Sequence, residues 1–215
     1  EVDARQTSPD AAVRQKIAEQ IAIGALRYFM LKVTRNSVIA FDFKDALSFE
    51  GETGPYIQYA VVRIRNIFRK GNTTPESVMK EFAELAGRES MSLYHGATSV
   101  AQSEAQKDRG ALAPEESSLG TYLSGEDNED IWSLWLRAGR FSQVLYQCIG
   151  TSEPAYLAKH AFQLAQEFAN FYHRHHILTE ENPARKTFLL ATAAVTLREL
   201  VRALALLGIE SPEAM

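Results

Sequence analysis

The run Gly51-Glu52-Thr53-Gly54-Pro55-Tyr56-Ile57-Gln58-Tyr59-Ala60, continued by Val61-Val62-Arg63-Ile64-Arg65, constrains this chain more than any other segment. Gly54 has the backbone freedom for a sharp turn, and Pro55 suits the first helical position, where a missing N–H costs no hydrogen bond. Ile57, Ala60, Val61, Ile64, Ile67 and Phe68 then recur at helical spacing, which predicts one buried face. Arg63, Arg65, Asn66, Arg69 and Lys70 fall off that face, so the segment presents positive charge with no acid beside it. Gly71, just after the last basic turn, reads as the stop signal.

Further helices follow the same grammar. Ser8-Pro9-Asp10 reads as a cap followed by a first-position proline, opening a helix to about Lys32. Its buried side is Val13, Ile17, Ile21, Ala25 and Phe29, with Ala18, Gly24 and Tyr28 beside it. Asp42 to Leu47 reads as one more helical turn, with Asp42, Asp45, Glu50 and Glu52 as caps and interdomain contacts. Thr74-Pro75-Glu76 starts a helix to about Ala86. Residues 87–126 lose apolar periodicity and read as a long polar connection. From Asp127, the residues Ile131, Leu134, Trp135, Ala138, Phe141, Leu145 and Ile149 read as one continuous helical face. Ser152-Glu153-Pro154 opens the next helix, with Leu157, Ala161, Leu164, Phe168, Phe171 and Tyr172 on its face. Asn182-Pro183 opens a long helix to about Leu207 whose broad apolar side suits the centre of a bundle. The expected fold is all-α: a bundle of about six helices at 54–215, preceded by a helical junction at 1–53.

Several function classes fall away. No apolar run approaches the ~20 residues needed to cross a bilayer, so no membrane partner is expected. The single cysteine, Cys148, excludes an internal disulfide and fits a reducing cytosol. A net charge of -4 argues against a general nucleic-acid binder, yet phosphate contacts depend on local charge, and a basic patch on an acidic body suffices. No glycine-spaced phosphate cradle and no nucleophile–base set appears, so no catalytic residue is assigned. His173, His175 and His176 crowd one helix end, but no acid or cysteine follows at ligand spacing, and no metal site is assigned. Imidazoles beside a helix C-terminus are favourable without a ligand.

The Gly54-Pro55-Tyr56 block, the stretch from Tyr156-Leu157-Ala158-Lys159-His160 through Phe168-Ala169-Asn170-Phe171-Tyr172, and the ending Leu206-Leu207-Gly208-Ile209-Glu210-Ser211-Pro212-Glu213-Ala214-Met215 resemble, in that order, the C-terminal part of arginyl-tRNA synthetases. There the catalytic domain passes into the DALR anticodon-binding helices. The resemblance covers about Ile39 to Met215 and is weakest at 87–126. The family's His-Ile-Gly-His and Lys-Met-Ser-Lys type motifs are missing, and Glu1 stands where an initiator Met would, so the chain reads as a fragment without the ATP and arginine sites. Alone it is expected to be inactive and to hold no cofactor; the intact enzyme would use ATP with Mg. The resemblance implies arginine tRNA and the enzyme's own catalytic domain as partners, with a monomeric, cytoplasmic protein expected.

The resemblance also assigns a site. Tyr172 is expected to lie against the anticodon loop, where stacking on an unpaired base is worth ~1–3 kcal/mol. Met215 would help close the pocket around the central anticodon base, His176 and Arg174 would contact RNA, and Arg63, Arg65 and Arg69 would grip phosphates. Arg185, Lys186, Arg198 and Arg202 form a second basic group, with Glu199 placed to pair internally. The rival reading, kept open by the negative net charge, is a synthetase-derived helical module for protein interaction or regulation without RNA.

Overall fold

A computed structural model describes residues 10–100 and 128–215, with the side chains of 88–100 excepted. Eight α-helices make up these described residues: α1 (Ala11–Leu31), α2 (Phe43–Ala46), α3 (Gly54–Lys70), α4 (Pro75–Val100), α5 (Glu129–Gly139), α6 (Phe141–Thr151), α7 (Ala155–Arg174) and α8 (Pro183–Leu206). A 3-10 turn at Ile177–Thr179 joins the last two. Among the described residues six helices lie from Gly54 onward and two before it, in keeping with the all-α fold expected.

α8 lies at the centre and packs on α3, α4, α5 and α7. Its apolar side is broad because it meets so many neighbours: Phe188, Leu189, Ala191, Ala193, Leu200, Ala203 and Leu204 are all buried. Asn182 caps its start by accepting the Arg185 N–H at 3.1 Å. At its other end the Ile209 N–H bonds the Leu204 carbonyl at 2.8 Å and the Gly208 N–H bonds that of Ala205 at 3.0 Å. Gly208 takes φ 69°, the left-handed residue such a C-cap needs.

α3 confirms the opening block as a helix but changes the reason for its glycine. Thr53 is the cap, its hydroxyl accepting the Tyr56 N–H at 3.3 Å, so Gly54 is the first helical residue and Pro55 the second. The left-handed turn falls at Gly51, φ 76°, not at Gly54. Gly54 is instead a site of close approach: a Cβ there would stand 2.5 Å from the Gly24 carbonyl oxygen of α1. Likewise the left-handed residue after α3 is Asn72, φ 48°, one position beyond Gly71.

Other boundaries also move. Asp10, not Ser8, caps α1, accepting the Ala12 N–H at 2.9 Å. Val13 is exposed, while Tyr28 is fully buried and donates to the Ala158 carbonyl at 3.1 Å. α4 continues to Val100 where a connection is expected from residue 87; the rest of that connection, 101–126, lies outside the described residues. The single face expected from Ile131 to Ile149 is two helices that break at Arg140. Ile131, Leu134, Ala138 and Phe141 are buried, whereas Tyr146 and Ile149 are about three-quarters exposed, because α6 packs chiefly on α7.

A polar layer crosses the bundle between α5, α7 and α8. Glu199, 2% exposed, accepts from Arg198 Nε at 2.8 Å and from Arg202 Nη1 at 2.9 Å. Arg137 pairs with Glu167 and donates to Gln163 Oε1 at 2.8 Å. His160 lies 5% exposed among them, its Nε2 with no hydrogen-bond partner. Burial, helped by the Arg137 guanidinium and opposed by Glu199 and Glu167, pushes its pKa down to about 4. The unfolded chain takes up that proton near pH 6.5 while the folded chain does not. The stability His160 contributes is therefore intact above about pH 6.5 and is lost as pH falls toward about 4. We expect chemical denaturation at pH 7 and pH 4.5 to show the parent losing up to about 3 kcal/mol more than a His160→Phe chain over that interval.

Candidate nucleic-acid interface

α3 and α7 run side by side in the same sense. Tyr56 meets Phe162 at 5.5 Å between ring centroids, and about two turns later on α3, nearly three on α7, Arg63 lies over Tyr172. Both C-termini therefore reach one end of the bundle, where a Cβ on Gly71 would stand 3.5 Å from Leu178 in the turn after α7. Two helix C-termini bring two negative dipole ends together. Arg69 and Lys70 in the last turn of α3, and His173 and Arg174 in that of α7, oppose them.

Tyr172 sits at the seam. Its ring is half-buried, stacked on Phe168 one turn back at 6.1 Å, and the Arg63 guanidinium lies 4.6 Å from its centroid. This is cation–π packing between two half-buried side chains, and a guanidinium plane, like a ring, is a stacking surface for an unpaired base. Tyr59, a turn before Arg63 on α3, is exposed. The sequence reading missed it; its i, i+4 spacing to Arg63 was the available signal.

The predicted residues divide into three groups. Arg63 and Tyr172 are brought together. Arg69, Arg174 and His176 stand exposed around the same end, and none of them forms an ion pair with an acid among the described residues. Arg65 is different: it leaves α3 about 200° around from Arg63, and its Nη1 donates to the Pro212 carbonyl at 3.1 Å and to that of Ser211 at 3.4 Å. It thus holds the tail that ends in half-buried Met215. The second basic group is mostly engaged internally: Arg185 with Glu180, Lys186 with the Leu178 carbonyl, and Arg198 and Arg202 with Glu199.

Nor do the three histidines form a cluster. His173 and His176 are exposed, while His175 is buried and its Nε2 meets Asp130 at 3.2 Å, seating the first turn of α5 on the end of α7. No group of three His, Cys, Asp or Glu among the described residues is placed to hold a metal. Cys148 is half-buried, and burial pushes its thiol pKa up, which disfavours the reactive thiolate.

An all-helical binding domain with one basic, aromatic-bearing end is the class that this fold and geometry define. The chain belongs to the DALR anticodon binding domain family, which matches residues 57–215. Over 212 residues it is 33% identical to the arginine–tRNA ligase of Thermobifida fusca (strain YX), covering 98% of this chain and 30% of that protein. It is 32% identical over 199 residues to the arginine–tRNA ligase of Phocaeicola vulgatus, covering 93% of this chain and 26% of that one. Among solved structures, the arginyl-tRNA synthetase of Thermus thermophilus aligns with TM-score 0.64 at 24% identity, over 97% of this chain and 28% of its own. That of Plasmodium falciparum aligns with TM-score 0.65 at 23% identity, over 94% and 28%. These two likenesses show the fold. The chain spans 26–30% of the length of these curated relatives, and no described helix is long and apolar enough to cross a membrane.

Proposed function

We propose that this chain recognises the anticodon loop of arginine tRNA as the C-terminal part of an arginine–tRNA ligase. The observation that carries the reading is the Arg63–Tyr172 pair, layered at 4.6 Å on the end of the bundle that also gathers Arg69, Arg174 and His176. An unpaired base stacks on the layered guanidinium and ring, while the exposed cations meet phosphates on either side. Met215, at the end of a tail fastened to α3, closes the pocket around the central base. The identities of the curated relatives support arginine tRNA as the RNA.

On this reading residues 1–53 are the junction with the catalytic domain and 54–215 the anticodon-binding unit. The intact, cytoplasmic, monomeric enzyme joins arginine to its tRNA using ATP with Mg in the part upstream of this chain. The described residues contribute recognition and positioning. The test is whether this chain distinguishes arginine tRNA from the same tRNA with its central anticodon base changed.

A further inference from the structure

We infer that Gln58 is the positioning residue for the C-terminal tail, and that through it the docking of α1 governs how the anticodon is read. Gln58 sits in the middle of α3 with no exposure at all. Its amide nitrogen donates to two backbone carbonyls from opposite ends of the chain: Gln20 of α1 at 3.0 Å and Glu210 of the tail at 2.7 Å. A buried amide that serves two segments fixes both of them, because losing either acceptor leaves a desolvated donor unpaired.

The surrounding contacts make α1 and the tail one unit. Gln20 Nε2 donates to the Glu210 carboxylate at 2.9 Å, and the Arg27 guanidinium donates to the Gly208 carbonyl. Arg65, two turns along α3 from Gln58, holds the Ser211 and Pro212 carbonyls. Gly24 is what lets the amide in: a Cβ there would stand 2.5 Å from Gln58 Nε2. Residues 208–212 of the tail are thus seated by α1 and α3 together, and Met215 follows three residues beyond the last of these contacts. Displacing α1 removes one acceptor of Gln58 and two direct contacts to the tail, so events that move the N-terminal segment reach Glu210 through a continuous set of hydrogen bonds, five residues before Met215.

This inference rests on the anticodon-binding reading for its RNA half, and its test separates the two. In the 215-residue chain, Gln58→Met keeps length and volume but removes the donor, and Gly24→Ala pushes the amide aside without touching the tail. Both are expected to speed carboxypeptidase release of Met215 about tenfold, with the bundle still melting cooperatively. Both are also expected to lower the discrimination between arginine tRNA and its central-base variant about tenfold. Gln58→Met combined with removal of residues 211–215 should lose no more discrimination than the truncation alone, whereas Tyr172→Ala should add to either. Arg65→Ala, which frees Ser211 and Pro212 but leaves α1 and Gln58 in place, should release Met215 faster too. Release at the parental rate in the Gln58 and Gly24 variants overturns the inference. So does faster release with unchanged discrimination, and in that case the anticodon reading through Tyr172 stands. A parent chain that shows no discrimination overturns both.

Discussion

Arginine tRNA is expected to bind the Tyr172→Ala chain about 1–3 kcal/mol more weakly than the parent, roughly a 5- to 150-fold loss. The ring is the platform of the layered pair, and without it the Arg63 guanidinium loses the surface that holds it 4.6 Å away. The fold should survive. Tyr172 is only half-buried, and its neighbours Phe168 and Phe171, both buried, keep α7 in the core. Tyr172→Phe separates stacking from hydrogen bonding: it preserves the aromatic platform and should bind within a few tenths of a kcal/mol of the parent. Binding of the alanine variant at parental strength would remove Tyr172 from the site.

Gly54→Ala should cost about 3 kcal/mol of stability, the sum of overpacking and of weakening a buried hydrogen bond. The added Cβ would stand 2.5 Å from the Gly24 carbonyl oxygen; its position is fixed by the α3 backbone and the oxygen belongs to that of α1, so neither can swing aside. α1 and α3 must therefore separate, which also stretches the Gln58–Gln20 bond. For a chain of this size the melting temperature should fall by roughly 6–12 °C. Gly87→Ala is the control of opposite sign. Its Cβ would meet nothing within 4 Å on the exposed side of α4, and replacing a mid-helix glycine should add up to about 1 kcal/mol. A Gly54→Ala chain melting with the parent would mean that α1 is not held against α3 at this crossing.

The legible part of the fold was the part written in periodicity and caps. The faces of α3 and α7, the Asn182-Pro183 start of α8 and the Leu-Gly-Ile cap at its end all appear where spacing and cap chemistry place them. The break at Arg140 was not legible, because Phe141 stays buried and continues the apolar rhythm of α5 across it. Neither was the length of α4: Gly87 and Gly96 both lie inside it, and a helix-interior glycine costs only about 1 kcal/mol, which does not by itself end a helix. Gln58 shows most clearly what a sequence withholds. It sits between Ile57 and Tyr59 on a helix with an obvious apolar face, and only the tertiary fold supplies its two partners, 38 and 152 residues away. The same holds for Arg65. Its residue type suggested phosphate, and the fold gives it two carbonyls of the tail.

The candidate site was half legible. Tyr172 and the basic residues were identified through resemblance, and the structure adds their arrangement: Arg63 layered on Tyr172, Tyr59 beside it, and His175 withdrawn to pair with Asp130. Residue type could not separate the buried histidine from its exposed neighbours, because that depends on which side of the α7 end α5 occupies.

The most direct measurement is the affinity of this 215-residue chain for arginine tRNA at low and moderate salt, beside the same tRNA with only its central anticodon base replaced. Anticodon reading predicts binding that weakens with salt for both, with a difference of about 1–3 kcal/mol between them that persists as salt rises. Equal binding of both RNAs, vanishing together as salt is added, would reduce the basic end to charge attraction. Binding of neither would contradict RNA recognition by this chain and favour a helical module that serves protein contacts.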